Sequence, residues 1–158
     1  MQIRTSILEI EIKVSLFFLK YYKYLTYFCS CKLHKLMAEI LNLKTFTDSR
    51  GNLTVIEKVI PFDIKRIFYI YGVDESVRGG HRHHKTIQAA ICIKGSCVIE
   101  NNDGVKKEIF NLDSPDKCLL LEPKDWHCMS NFTPDAILMV LASEFFEASD
   151  YIYENYKW

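Results

Sequence analysis

The chain has 158 residues, 49% of them hydrophobic and 25% charged, with twenty basic and twenty acidic side chains and so no formal net charge. That is enough for one globular core, and the balance gives no electrostatic reason to bind nucleic acid or an anionic membrane. The six cysteines, at positions 29, 31, 92, 97, 118 and 128, form no CxxC pair and sit mostly in apolar runs, which predicts reduced thiols and a cytoplasmic home.

Residues 1–36 differ from the rest. Their apolar and aromatic stretch over 14–28 is broken by Lys20 and Lys23, short of the roughly twenty residues of a membrane span, and no small-residue cleavage site follows it. This segment holds six Lys or Arg against two Asp or Glu, leaving residues 37–158 with fourteen against eighteen, a net charge of −4. Met37 opens a stretch that reads like a natural protein start. Residues 1–36 are therefore expected to be an extension, a start-site artefact or loosely attached appendage, and 37–158 a single domain.

From residue 43 onward the hydrophobic period is two. Residues 54–60 and 64–71 are β-branched and aromatic runs separated by Pro61, Phe62 and Asp63, and both predict strands. Residues 86–94 place Ile87, Ala89, Ile91 and Ile93 on one face and Thr86, Gln88, Ala90, Cys92 and Lys94 on the other, the alternation of a strand with two different surroundings. Further strands are predicted over 96–100, 105–110, 118–121, 127–131 and 136–142. Asn101, Asn102, Asp103 and Gly104 mark a hairpin turn, where Asn or Gly supplies positive φ. The only helical candidate is residues 147–156. Short strands with a turn every eight to twelve residues predict an all-β sandwich or barrel.

Chemistry concentrates before the strand at 86–94. Arg78-Gly79-Gly80-His81-Arg82-His83-His84-Lys85 holds three of the five histidines in the chain. Imidazole titrates near neutrality, so it can take a proton from carbon, return it, or bind a metal. In an extended segment His81 and His83 share a face, with Arg82 and His84 on the other.

Two stretches resemble the motifs of the cupin double-stranded β-helix, or jelly roll. His81-x-His83 with Gln88 and Gly95 resembles the first, and Pro123-Lys124-Asp125-Trp126-His127 with Asn131 resembles the second. In metal-binding cupins these positions supply three histidines and a glutamate. Here Gln88 replaces the carboxylate, removing the charge a divalent site normally uses. A metal-dependent, dioxygenase-like cupin on His81, His83, Gln88 and His127 is one alternative, and a non-catalytic nucleotide-sugar-binding cupin is another.

Seven ordered matches are more specific: Asp48 to Leu53, Pro61 to Arg66, Arg78-Gly79-x-His81-x-His83-x-Lys85, Gly95-Ser96-Cys97, Leu112 to Pro115, Trp126-His127 and Val140 to Ser143. Together they resemble the WxcM-like sugar 3,4-ketoisomerases of thymidine-diphosphate sugar pathways, over residues 42–153. The resemblance implies a homodimeric cupin without metal or organic cofactor. It would convert dTDP-4-keto-6-deoxyglucose to a 3-keto-6-deoxyhexose in deoxysugar and cell-surface polysaccharide biosynthesis, with no nucleic-acid or membrane partner.

Moving a ketone from C4 to C3 requires removal of the C3 proton, an enediolate, and protonation at C4. The matching family histidines fall on His83, expected as principal base, and His81, its partner or second proton carrier. A positioned base contributes roughly 10²- to 10⁴-fold in rate. The enediolate oxygen needs a donor, for which Tyr69, Tyr71 and protonated His127 are candidates. A diphosphate calls for cationic partners, expected at Arg66 and Arg78, with Lys85 and Gln88 as further contacts. Trp126 and His127 are expected to line the pocket.

Overall fold

The structure is a computed structural model and describes residues 38–157. The expectations for residues 1–36 lie outside the described residues. Among the described residues twelve strands follow in chain order: β1 (Glu39–Asn42), β2 (Lys44–Asp48), β3 (Gly51–Val55), β4 (Arg66–Tyr71), β5 (Arg78–His83), β6 (Gln88–Lys94), β7 (Cys97–Asn102), β8 (Lys107–Leu112), β9 (Lys117–Leu121), β10 (Trp126–Ser130), β11 (Ile137–Ala142) and β12 (Tyr151–Ile152). They build two five-stranded sheets, ordered β1-β9-β6-β11-β4 and β12-β5-β10-β7-β8, and a separate β2-β3 hairpin. The strand pairs are antiparallel, as expected of a cupin jelly roll.

The alternation in β6 divides the molecule. Its even-numbered residues Ala90 and Cys92 join Ile99, Leu112, Leu119, Leu121, Leu138 and Val140 in the core between the sheets. Its odd-numbered residues Ala89 and Ile91 join Leu43, Cys118, Leu120 and Leu141 in a second cluster on the outer face of the first sheet. Leu138 is fully buried, and its truncation to alanine would cost roughly 2–5 kcal/mol.

Two expectations are corrected. The apolar run 54–60 is not a single strand, since β3 ends at Val55. Ile56, Val59, Ile60 and Phe62 instead pack over the outer cluster, where the same apolar composition serves as a cover without ladder bonds. The expected helix over 147–156 is a short 3₁₀ turn (Ala148–Asp150) followed by β12, which pairs with β5. The tertiary ladder outweighs a weak helical pattern there.

The predicted turn at 101–104 is present two residues later, over 103–106, between β7 and β8. The Asp103 carboxylate accepts the backbone N–H groups of Val105 and Lys106, and Gly104 has a φ of +89°.

Candidate active site

Strand β5 enters the second sheet between β12 and β10, and its register sets the site. His81 lies opposite His127 of β10, and His83 lies opposite Tyr151 of β12. Directly opposed residues project to the same face, so these four side chains converge on the inner side. Gly79 makes the approach possible: its φ is +82°, and a Cβ there would stand 2.7 Å from the His127 carbonyl oxygen. Only glycine combines that backbone with that proximity.

The ring centroids of His81 lie 5.0 Å from those of both His83 and His127, and 4.7 Å from that of Tyr151. His83 and Tyr151 are 4.6 Å apart. His83 is buried and both its ring nitrogens are engaged. Nδ1 donates to Asp150 Oδ2 at 3.0 Å, and Nε2 faces the Gln88 amide nitrogen at 3.0 Å. Asp150 is itself saturated with donors: the Thr86 hydroxyl shares Oδ2, and the Lys85 backbone N–H reaches Oδ1 at 2.9 Å. These bonds hold its carboxyl below its ordinary range despite burial.

All three imidazoles are held neutral. Burial pushes His83 down to about 4, helped by the neighbouring His81 and opposed by Asp150. His127 falls to about 3, again chiefly through burial. His81 is also lowered by burial, against the Gly79 carbonyl beside it. No side chain among the described residues hydrogen-bonds the His81 ring. His127 Nδ1 donates to the Asp125 carbonyl at 2.9 Å, which leaves Nε2 as a buried lone pair with no partner. His127 is thus an acceptor in the resting site, the opposite of the protonated donor expected from sequence.

Other expected residues divide by strand face. Arg66 projects inward from β4, its guanidinium 5.2 Å from the Phe68 ring and 5.7 Å from the Phe146 ring, with a buried Nε–H lacking a partner. It is close enough to help depress His83. Tyr69 and Tyr71 lie on the opposite face of β4 from Arg66, 63% and 68% exposed. Their ring hydroxyls point away from the histidines because period two sends alternate residues to opposite faces. Trp126 precedes His127 on β10 and faces outward by the same rule. Arg78 is exposed at the start of β5, and Lys85 is exposed and paired with Glu147 at 2.9 Å. Gln88 does reach the site, through His83.

Asp150, Thr86 and Tyr151 were not among the expected site residues. Thr86 was already on the Gln88 face of its strand, which was the available signal. The other two arrive through the β12–β5 pairing, for which the sequence carries no local mark. Among the described residues, no group of three or more His, Cys, Asp and Glu side chains is disposed to hold a metal ion.

Similarity to known proteins runs over most of the described residues. A family model described as FdtA: WxcM-like, C-terminal, matches residues 36–158. A TDP-4-oxo-6-deoxy-α-D-glucose-3,4-oxoisomerase from Aneurinibacillus thermoaerophilus is 43% identical over 124 residues, 75% of this chain and 89% of the relative. The WlaRB TDP-quinovose 3,4-ketoisomerase from Campylobacter jejuni superimposes with a TM-score of 0.71 at 42% identity, over 74% of this chain and 92% of that one. A mutant of the QdtA 3,4-ketoisomerase from Thermoanaerobacterium thermosaccharolyticum, in complex with TDP-4-keto-6-deoxyglucose, gives a TM-score of 0.72 at 38% identity, over 74% of this chain and 87% of that one. With the family model spanning the whole described jelly roll and these identities along most of each relative, the chain belongs to the WxcM-like FdtA family.

Proposed function

We propose that this protein is a nucleotide-sugar 3,4-ketoisomerase that converts dTDP-4-keto-6-deoxyglucose to a dTDP-3-keto-6-deoxyhexose. The observation that carries the mechanism is the convergence of three neutral imidazoles on one inner face, with His81 central and its ring free of side-chain hydrogen bonds. A neutral imidazole is the form that accepts a proton, and its ordinary pKa near 6.5 lets it return that proton with little cost.

His81 is the carbon base in this reading. It takes the C3 proton, the C–H electrons form a C3=C4 double bond, and the former carbonyl oxygen at C4 takes up the negative charge. The C3 hydroxyl proton passes to that oxygen, the C3 carbonyl forms, and C4 receives the proton from the His81 imidazolium. His127 Nε2, a bare acceptor, takes that hydroxyl proton and hands it on to the C4 oxygen in this exchange. His83, expected as the principal base, is assigned a supporting part, because both its nitrogens are already committed to Asp150 and Gln88. Arg66 pairs with anionic oxygens of the substrate through its unpartnered Nε–H.

No metal takes part in this scheme, so treatment with EDTA should leave turnover unchanged. Loss on chelation and recovery with one divalent ion would contradict it. The direct test of function is proton NMR of dTDP-4-keto-6-deoxyglucose incubated with the protein, with new 3-keto signals expected and an unchanged spectrum contradicting the reading.

The working form is a homodimer. Supporting this, Ile67, Tyr69 and Tyr71 leave an apolar strip on the outer face of edge strand β4, and the isolated β2-β3 hairpin exposes the cross-strand pair Phe46 and Leu53. An isolated two-stranded hairpin is marginal in water, and a second copy would cover both surfaces. Cys92, Cys97, Cys118 and Cys128 are free thiols, which supports a cytoplasmic location. Among the described residues no helix is long and apolar enough to cross a membrane.

A further inference from the structure

We infer that the hydroxyl of Tyr151 is the hydrogen-bond donor to the sugar oxygen on which enediolate charge develops. The inference rests on the ketoisomerase reading and supplies a part that reading lacks. A developing oxyanion is stabilised by preorganised donors. The three imidazoles offer lone pairs rather than protons: His127 Nε2 is bare, His83 Nε2 faces Gln88, and burial keeps all three neutral. One Gln88 N–H is already turned toward His83, and Arg66 is assigned to the substrate's anionic oxygens. The site therefore needs a neutral donor, and the ring that carries the Tyr151 hydroxyl packs against both the proposed base and its supporting histidine.

Its position is fixed from several sides. β12 pairs antiparallel with β5, placing Tyr151 opposite His83. Asp150, one residue earlier, anchors the strand through His83, Thr86 and the Lys85 backbone. The Tyr151 ring lies 4.7 Å from His81, 5.7 Å from Phe146 and 6.3 Å from Tyr153, on which it stacks. Its hydroxyl has no hydrogen-bond partner among the described residues, which leaves it available to a ligand. Tyr69 and Tyr71, on the outer face of β4, offer no comparable hydroxyl.

The test compares full-length wild type with Tyr151→Phe and Tyr153→Phe, measuring kcat and KM for dTDP-4-keto-6-deoxyglucose, the affinity for TDP alone, and the melting temperature. Loss of one preorganised donor should lower kcat of Tyr151→Phe by roughly 10²- to 10³-fold, with KM and TDP affinity within about twofold of wild type. Tyr153→Phe should turn over like wild type, because it keeps the ring on which Tyr151 stacks and removes only the hydroxyl of a residue that is 73% exposed. Replacing Tyr151 with 3-fluorotyrosine, which keeps a hydroxyl of nearly the same shape, should restore most of the rate even if the phenylalanine variant is poorly folded. Near-normal kcat in a folded Tyr151→Phe, a parallel loss of TDP affinity, or failure of fluorotyrosine to restore the rate would overturn the inference. Silent wild type would instead sink the ketoisomerase reading.

Discussion

Strands β4 and β5 each carry a pair of chemically capable residues two positions apart, Tyr69 and Tyr71 on one and His81 and His83 on the other. Period two guarantees that each pair shares a face, and it does not say which face. On β5 the histidines meet His127 and Tyr151 across the ladder and close a site. On β4 the tyrosines lie beside Met139 and Ile137 of β11, on the outer face, while Arg66, Phe68 and Ile70 turn inward. A candidate residue on a strand is therefore judged by what stands opposite it in register.

The contrast is broken most severely at His81. His81→Asn removes the proposed carbon base and should lower turnover by roughly 10²- to 10⁴-fold while leaving TDP binding nearly intact, measured by steady-state kinetics and calorimetry. Turnover within a few-fold of wild type would move the base to another histidine.

Asp150→Asn is expected to cost less. An amide must place its NH₂ toward either the Lys85 N–H or the Thr86 and His83 donors, so one buried donor pair is left facing another, at roughly 1–3 kcal/mol of stability. Relief comes if His83 shifts its proton to Nε2, and nitrogen NMR of the His83 ring should report that inverted tautomer. An unchanged tautomer with unchanged stability would contradict the arrangement.

Acid titration tests the buried inner face as a whole. His83 and His127 have folded pKa values near 4 and 3, below the ordinary 6.5, so as pH falls below 6.5 the unfolded chain binds protons that the folded chain refuses. Stability should decline as pH falls from about 6.5 toward 4. Asp125 works the other way: burial lifts its carboxyl to about 6, so the folded state takes up a proton there before the unfolded state does. With His81 also lowered by burial, three groups against one leave a net loss, and a urea midpoint that rises on acidification from pH 7 to 5 would contradict it.

The smallest effect on activity belongs to the outer pair. Tyr69→Phe removes only an outward hydroxyl, and turnover should stay within about twofold of wild type. Tyr69→Glu puts a charge in the apolar strip and should shift light scattering toward monomer. A large loss of turnover in Tyr69→Phe would restore it to the site.

Much of this was legible in the residues. The alternation through 86–94 separated core from outer cluster correctly, because small and β-branched side chains there meet different neighbours on each face. The histidine motif was legible because three imidazoles beside two glycines are rarely a surface accident. The inward parity of β4 was not, since Ile67, Phe68, Tyr69, Ile70 and Tyr71 are apolar or aromatic on both faces. Asp150 and Tyr151 were illegible for a different reason: they lie more than sixty residues from His83 in the chain, and only a two-residue strand brings them to it.

The central claim, that the carbon-bound proton travels by way of His81, is tested most directly by exchange in D₂O. Wild type, His81→Asn and His83→Asn would each be incubated with dTDP-4-keto-6-deoxyglucose and followed by proton NMR at sugar carbons C3 and C4. Wild type should wash out the C3 proton and place deuterium at C4 of the product, His83→Asn should retain measurable exchange, and His81→Asn should show none above the rate without enzyme. Exchange in His81→Asn at the wild-type rate would contradict the account.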